Sequence, residues 1–304
     1  MSTASTLRQS LDWGKLAPLR LRAKTVADGV YAGGHRSRRR GAGIEFGGQR
    51  SYVPGDDLRF IDRHALLRHG TLLVRQFETE TDRTLCLLVD ASLSMSYRGE
   101  GAPGAKYAYA ALIAAALCKI AVGAGDRVSL DWFGGERTVE LATAGGREAF
   151  ERVVGALETA QPSADLKSDL PALERAVARV ERRAGRGSTV VVLSDLLDLP
   201  EGAEVAMGTL GSRGKTLCVA RVLDPTELSF PFTGPLHLRA LEGEARVETD
   251  AAAARPEYLA ALSAQTQRWS ERLLNRGGSL VPLNTAEDPV KAVRQILDSV
   301  GGVL

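Results

Sequence analysis

The sequence predicts an α/β protein in which a doubly wound, mostly parallel sheet carries helices on both faces, with a smaller N-terminal α+β segment. From Thr84 onward, apolar runs alternate with helical patterns, and this alternation is typical of parallel sheets. The run at 190–193 is continuously apolar, which indicates a strand buried on both faces. A content of 44% hydrophobic and 25% charged residues in 304 positions fits a soluble globular chain.

Each element of the main domain has its own pattern. The first strand is predicted at 84–89, and the helix after it, at 105–122, is apolar on nearly every side, so we expect it to be well covered. Two strands follow, DRVSLDWF and RTVELAT, and the short GGE between them makes the pair antiparallel. The remaining elements, in chain order, are the helices GREAFERVVGALETA and LPALERAVARVERRAGR, the strand STVVVLSD, a helix at 201–210, the strand KTLCVARVLD, the hairpin LHLRALEGEARVETD, a helix at 256–275, the strand SLVPL and a helix at 288–300.

The first 80 residues lack this strand and helix rhythm. An amphipathic helix is predicted at 16–31, followed by a Gly- and Arg-rich stretch. The segments VPGDDLRFID and LLVRQF contain apolar residues that would be costly to expose. We therefore expect residues 1–80 to form a segment packed on the main domain, which spans 81–304 and ends in the hairpin and helix extension.

Charge and cysteine usage narrow the function classes. The chain has 39 Lys and Arg against 37 Asp and Glu, so no global charge attracts it to nucleic acid or to a membrane. The Arg-rich run at 35–40 has no interleaved aromatic residues, which favours a solvated loop, or docking to acids such as Asp56 and Asp57, over nucleic-acid binding. The three cysteines lie in apolar segments without CxxC spacing, which predicts free thiols and a reducing cytoplasm.

Membrane insertion is not expected. The most apolar helical stretch, at 107–122, contains Lys119 and is shorter than the ~20 residues that a membrane span needs. The N-terminus shows no apolar core followed by a cleavage site, so we expect no signal peptide. The predicted location is the cytoplasm.

Polar side chains follow the buried strands at the positions where a ligand is expected. The first strand ends in Asp90-Ala91-Ser92-Leu93-Ser94, the later central strand ends at Asp195, and the loop before the intervening helix holds Ser168 and Asp169. An open sheet binds its ligand outside the carboxyl ends of the strands, and in the common order 3-2-1-4-5-6 strands one and four flank that crevice. Three loops are thus predicted to bring oxygen ligands to one point.

The chemistry of these side chains favours a hard divalent cation. Carboxylate and hydroxyl oxygens without sulfur or imidazole favour Mg²⁺, Mn²⁺ or Ca²⁺ over zinc. The alternative is that these residues only cap the following helices. We favour the metal because the triplet and the later aspartate each end a buried strand. By contrast, Asp224 and Glu227 flank a proline turn and are predicted only to shape it. The predicted metal ligands are Asp90, Ser92, Ser94, Ser168 and Asp195.

The segment DASLSM, the loop Ser168-Asp169-Leu170 and the strand-terminal Asp195 together resemble the metal-ion-dependent adhesion site of a von Willebrand factor type A domain. In that family, the DxSxS residues, a Thr from a second loop and an Asp from a third surround the metal. The resemblance implies the same role for the residues here. Ser168 stands where Thr is usual, and it keeps the hydroxyl.

An upstream segment, GGHRSRRRGAGIEFGGQRSYVPGDDLRFID, resembles the signature of the bacterial family called Domain of Unknown Function 58, in which this segment precedes a type A domain. The combined resemblance spans about residues 30 to 200, and Arg63 occupies the position where relatives usually carry Trp. Members are commonly encoded beside MoxR-type AAA+ ATPases. The resemblance implies such an ATPase as partner, in the assembly or activation of other proteins.

Two functional classes follow. In the first, the protein is a non-catalytic interaction module, an adaptor or co-chaperone, whose bound Mg²⁺ is completed by an Asp or Glu of a protein partner and whose binding is lost with a chelator. In the second, Asp90 is the nucleophile of a Mg²⁺-dependent, phosphatase-like hydrolase. That chemistry usually has a second carboxylate two residues on, where this chain has Ser92, and no glycine-rich phosphate loop with Lys follows the first strand. The sequence therefore favours binding over catalysis.

Overall fold

The structure is a computed structural model that describes residues 19–32, 45–53, 61–62, 65, 67, 70–78, 83–163, 165–166, 169–241 and 245–301. The predicted Arg-rich run, Asp56, Asp57 and Arg63 lie outside these residues. The strands are β1 (Glu45–Ser51), β2 (Leu73–Glu78), β3 (Thr84–Asp90), β4 (Arg127–Phe133), β5 (Leu141–Ala144), β6 (Thr189–Ser194), β7 (Thr216–Leu223), β8 (Pro235–Arg239), β9 (Arg246–Asp250) and β10 (Gly278–Asn284). The helices are α1 (Leu19–Ala32), α2 (Lys106–Gly123), α3 (Gly146–Thr159), α4 (Leu170–Arg183), α5 (Ala203–Gly208), α6 (Pro225–Ser229), α7 (Ala251–Leu274) and α8 (Pro289–Ser299).

A mixed six-stranded sheet with the order β10-β7-β6-β3-β4-β5 forms the centre of the fold. β3 pairs in parallel with both β4 and β6, and only the short edge strand β5 runs antiparallel to its neighbour β4. Counted along this domain, the order is 3-2-1-4-5-6, so the predicted α/β sheet is confirmed. The carboxyl ends of β3 and β6 therefore lie side by side, which positions the predicted site.

Both faces of the sheet are covered, which explains why its central strands are apolar along their whole length. Along β3, Leu85, Leu87 and Val89 belong to one core cluster, which also contains residues of α1, α2, α3 and α8. Cys86 and Leu88 belong to a second cluster with residues of α4, α5 and α7. The alternation follows from the two-residue period of a strand.

Helix α2 is the most deeply buried helix of the first cluster, as the sequence predicts. Every residue from Lys106 to Cys118 is buried. By length and composition α2 could cross a membrane, with a mean hydropathy of 1.4, but 83% of it is buried inside the fold. A buried core helix can have the same length and apolar composition, so these two properties are weak evidence for a membrane span.

Helix α1 lies where the amphipathic helix is predicted and belongs to the same core. Its buried residues are spaced along one face and join the first cluster. Arg294 of α8 donates a hydrogen bond of 2.7 Å to the carbonyl oxygen of Gly29. β1 and β2 form a separate antiparallel pair. The division of the chain near residue 80 stays a prediction.

Two predicted boundaries were wrong. The strand RTVELAT begins only at Leu141, because Gly134 and Gly135 adopt positive φ and Glu136 pairs with Gln161 outside the sheet. Helix α7 begins at Ala251 rather than at residue 256. The Asp250 side chain accepts hydrogen bonds from the first-turn amides, and a run of alanines then extends the helix through Pro256.

Candidate functional site

Asp90 lies at the carboxyl end of β3 and is fully buried. The Ser92 amide donates a 2.8 Å hydrogen bond to its Oδ1, and the Ser194 hydroxyl donates a 2.6 Å hydrogen bond to its Oδ2. Ser194 is the last residue of β6, the parallel neighbour of β3. Neutral donors from two adjacent strand ends therefore fix this carboxylate.

The two serines of the DxSxS triplet lie on the same side of the loop. A short 3₁₀ turn at Leu93–Ser96 follows β3, and it brings the Oγ atoms of Ser92 and Ser94 to 3.1 Å from each other. Both serines are buried, with 2% and 5% exposure. Two hydroxyl oxygens therefore lie close together in the loop directly after Asp90.

Asp195, directly after β6, is buried beside the first residue of α2. Its Oδ2 accepts a 2.7 Å ion-pair hydrogen bond from Lys106, and its Oδ1 accepts a 2.8 Å hydrogen bond from the Leu197 amide. The same Lys106 Nζ donates to Glu227 Oε1 at 2.6 Å. Lys106 and Asp195 are both essentially inaccessible to solvent. The site therefore contains a cation of its own, which the sequence analysis missed.

The charges around this pair shift the pKa values of its members. Burial lowers the pKa of Lys106, but the negative charges of Asp195 and Glu227 outweigh burial and leave that pKa above its usual value. Burial raises the pKa of Glu227, and Lys106 opposes that change. Lys106 thus stays charged as the shared counter-ion of two carboxylates.

Among the described residues, the hydrogen-bond donors to Asp90 are neutral. Burial and, after it, the negative charge of Asp195 raise the pKa of Asp90 to about 7, although the hydrogen bonds from Ser194 and Ser92 oppose the shift. Two carboxylates close enough to repel one another are a favourable setting for a cation. The 2.6 Å hydrogen bond from Ser194, the residue before Asp195, places Asp90 beside the end of β6.

Helix α6 forms a further wall of the site, so the prediction that Asp224 and Glu227 only shape a turn was incomplete. They do form a capping box at the start of α6. Asp224 Oδ2 also accepts a 2.8 Å hydrogen bond from the Gly99 amide, and the hydroxyls of Tyr97 and Thr226 lie 2.9 Å apart. Together with the Lys106–Glu227 contact, these bonds join α6 to the loop between β3 and α2.

The structure brings four of the predicted ligands together and leaves one undescribed. Asp90, Ser92, Ser94 and Asp195 lie at the adjacent ends of β3 and β6. Ser168 lies outside the described residues. Its neighbour Asp169 caps α4 by accepting a hydrogen bond from the Ala172 amide.

The donor set fits a hard divalent cation. In the described part of the chain no three His, Cys, Asp or Glu side chains are grouped as a metal site, so the set depends on serine hydroxyls, which hard cations accept and zinc disfavours. Asp195 differs from an ordinary metal ligand in one respect, because it already forms an ion pair with Lys106. The residues fit the predicted cation, with Asp195 the least available of them.

Two further residues support the loop after β6. Arg221, buried near the carboxyl end of β7, donates from Nε to the Asp195 carbonyl oxygen at 3.1 Å and from Nη2 to Gln265 Oε1 at 2.6 Å. Gln265 in turn donates to the Leu196 carbonyl oxygen at 2.8 Å, and Leu196 has a positive φ of 59°. A charged residue inside the apolar strand KTLCVARVLD was the available signal for this network.

The pKa of Asp90 predicts a pH dependence of stability in the metal-free protein. The folded protein keeps the Asp90 proton up to about pH 7, whereas an ordinary Asp loses it near 3.8. The stability from this group is therefore present at low pH and is lost as the pH rises through the folded pKa. Calorimetry in EDTA should show the Tm of the wild type falling relative to Asp90→Asn between about pH 5 and about pH 8. A difference that stays constant over this range would contradict the assigned environment.

The tight contact between the loop and α6 predicts the effect of a methyl group at Gly99. A Cβ there would lie 2.2 Å from both Asp224 Oδ1 and Thr226 Oγ1. Gly99→Ala should therefore lower the free energy of unfolding by about 1–3 kcal/mol in urea titrations. Gly155, exposed on α3 with open space around its Cβ position, is the control, and Gly155→Ala should raise stability by about 0.5–1 kcal/mol. Equal effects of the two substitutions would show that α6 does not constrain the loop.

Comparison with known sequences identifies a family match. The family model described as "Protein of unknown function DUF58" matches residues 48–268. The chain is also 29% identical over 290 residues to "Uncharacterized protein Mb1516" of Mycobacterium bovis, with 93% of this chain and 89% of that protein covered.

Comparison with solved structures finds partial overlaps. BatB from Bacteroides thetaiotaomicron overlaps with a TM-score of 0.46 and 14% identity, covering 72% of this chain and 98% of that one. A von Willebrand factor type A protein from Catenulispora acidiphila overlaps with a TM-score of 0.39 and 11% identity, covering 76% of this chain and 44% of that one. Both TM-scores are below 0.5, so the α/β fold is assigned from the strand order of the sheet.

Proposed function

The chain belongs to the DUF58 family, and we propose that it is a metal-dependent protein-interaction module, built on a von Willebrand factor type A-like domain, that acts as an adaptor or co-chaperone. The observation that supports this best is the grouping of Asp90, Ser92, Ser94 and Asp195 at the adjacent ends of β3 and β6. This edge of an open sheet is where such folds bind ligands.

The residues that would surround Mg²⁺, Mn²⁺ or Ca²⁺ are Asp90, Ser92, Ser94, Ser168 and Asp195. When bound, the cation supplies a Lewis-acidic position that a carboxylate of another protein completes. Ser92 and Ser94 present neutral oxygens, and Asp90 presents a carboxylate held by neutral donors. Because Asp195 is already paired with Lys106, this chain supplies little negative charge of its own, which favours a partner with an Asp or Glu.

The hydrolase alternative has less support from the geometry. Asp90 has no solvent exposure, and each of its oxygens accepts a hydrogen bond. The position two residues on, where a phosphatase of this kind usually has its acid and base, is Ser92. Without a carboxylate at that position the arrangement lacks the acid and base of such a hydrolase, so it suits ligand binding better.

The partner and location are part of the same proposal. The resemblance to the family suggests a MoxR-type AAA+ ATPase, with the two proteins acting on the assembly or activation of others. Free, buried thiols at Cys86, Cys118 and Cys218 fit a reducing compartment such as the cytoplasm.

The test is metal binding followed by metal-dependent capture. Titration calorimetry and electron paramagnetic resonance with Mn²⁺ should detect a single bound ion on the full chain. Capture of a purified MoxR-type ATPase from the same genome should require Mg²⁺ and be lost in EDTA. Failure to bind Mn²⁺, Mg²⁺ and Ca²⁺ would refute the module. Metal-dependent hydrolysis of p-nitrophenyl phosphate that is lost in Asp90→Asn would support the hydrolase instead.

A further inference from the structure

We propose that Lys106 is a positioning residue that, together with Glu227, holds Asp195 out of direct coordination of the divalent cation. This inference rests on the proposed function and adds a determinant of how tightly the site binds its ion. Lys106 would therefore lower metal affinity and leave a coordination position for the carboxylate of the partner.

The first argument is the position of the ammonium group. Lys106 begins α2, immediately after the loop that carries the DxSxS serines. Its Nζ lies 2.7 Å from Asp195 Oδ2 and 2.6 Å from Glu227 Oε1. It has essentially no exposure to solvent, so it does not leave these carboxylates for water.

The second argument is the contrast between the two aspartates. Both oxygens of Asp195 accept hydrogen bonds, and one of the donors carries a full positive charge. Both oxygens of Asp90 also accept hydrogen bonds, but their donors, the Ser92 amide and the Ser194 hydroxyl, are neutral. An ion that approached Asp195 directly would have to displace or repel a cation in a buried setting, where charges interact strongly.

The third argument is that α6 fixes Lys106 from the far side. Glu227 Oε2 accepts a 2.9 Å hydrogen bond from the Asp224 amide, so its carboxylate cannot follow a moving ammonium group. The Tyr97 ring lies with its centroid 5.7 Å from Lys106 Nζ, at a distance where an aromatic face still stabilises a cation. The ammonium group is therefore held in a preformed cage, with Asp195 as one wall.

A double substitution separates this idea from a simple effect of net charge. Lys106→Met with Glu227→Gln removes one positive and one negative charge, so the charge summed over these two residues, Asp90 and Asp195 is unchanged. Asp195 loses its counter-ion and becomes free to bind metal. We expect the double variant to bind Mn²⁺ at least about tenfold more tightly than the wild type in calorimetry.

Glu227→Gln alone is the matched comparison. This variant keeps the ion pair between Lys106 and Asp195 but removes the negative charge of Glu227. The net charge around the site therefore becomes less negative. We expect this variant to bind Mn²⁺ roughly threefold or more weakly than the wild type. The two variants should thus change affinity in opposite directions, which a general loosening of the fold would not do.

The outcomes are distinct. If the wild type binds Mn²⁺ and the double variant binds it no more tightly, this inference is wrong and the proposed function stands. If the wild type binds none and the double variant does, Lys106 opposes metal as inferred and the proposed function is wrong. If neither the wild type nor the double variant binds Mn²⁺, both this inference and the proposed function are wrong. Thermal melts in EDTA check folding, and if the double variant does not fold, unchanged affinity in Glu227→Gln overturns the inference, whereas weaker binding supports it.

Discussion

Replacing Asp90 with Asn is expected to weaken Mn²⁺ binding about a hundredfold or more while the chain stays folded. The loss follows because the Asp90 carboxylate accepts hydrogen bonds from neutral donors, so its negative charge is left for the cation, and a buried cation depends on such charge. Stability should change little, by about 1 kcal/mol, because the amide retains hydrogen-bonding capacity and the repulsion by Asp195 disappears. Calorimetric titration with Mn²⁺ and urea unfolding in EDTA measure the two effects.

The control for this substitution is Asp169→Asn. Asp169 lies in the loop next to Ser168, is exposed and caps α4, and Asn caps a helix about as well as Asp. Its Mn²⁺ affinity should stay within about twofold of the wild type. If Asp90→Asn bound Mn²⁺ as tightly as this control, Asp90 would not be a ligand.

Lys106→Met is expected to lower the free energy of unfolding by about 3–5 kcal/mol, because it leaves two carboxylates without their counter-ion in a buried setting. Both Asp195 and Glu227 contact the Lys106 Nζ. Because the Asp195 side chain is inaccessible to solvent, water cannot replace the lost ion pair. Adding Glu227→Gln should restore part of the lost stability, since one of the two unpaired charges is then removed. Urea unfolding in EDTA near neutral pH gives the values.

An exposed lysine provides the comparison. Lys291 pairs with Glu287 across one helical turn at 3.6 Å, with 61% of its side chain exposed. Such surface pairs contribute about 0–1 kcal/mol, so Lys291→Met should have little effect. A Lys106→Met protein as stable as the Lys291→Met protein would show that the buried ion pair is not formed.

Most of the fold could be predicted because its signals are local. The run at 190–193 is apolar at every position and becomes a strand buried on both faces, and the glycine-rich connection between β4 and β5 correctly indicates an antiparallel edge. The errors are at boundaries, where single side chains decide. Asp250 starts α7 five residues early by capping two amides, and helix propensity alone does not place a cap.

The grouping of the oxygen-bearing side chains at the strand ends was predictable from the sequence, but the charged residues that pair with Asp195 were not. Asp90, Ser92, Ser94 and Asp195 follow strand ends, and the sheet order then places them together. The Lys106–Glu227 contact joins residues 121 positions apart, and no local period encodes such a pairing. A lysine at the start of a largely apolar helix is a usable signal, since a buried charge requires a partner somewhere in the fold.

The measurement that tests the central claim most directly is an anomalous difference map from crystals of the full chain soaked in Mn²⁺. We predict one peak bounded by the Asp90 carboxylate and the hydroxyls of Ser92 and Ser94, with Ser168 contributing and Asp195 still joined to Lys106. An absence of any peak at the carboxyl ends of β3 and β6 at millimolar Mn²⁺, with the Asp90 surroundings unchanged, would contradict the proposed metal-dependent function.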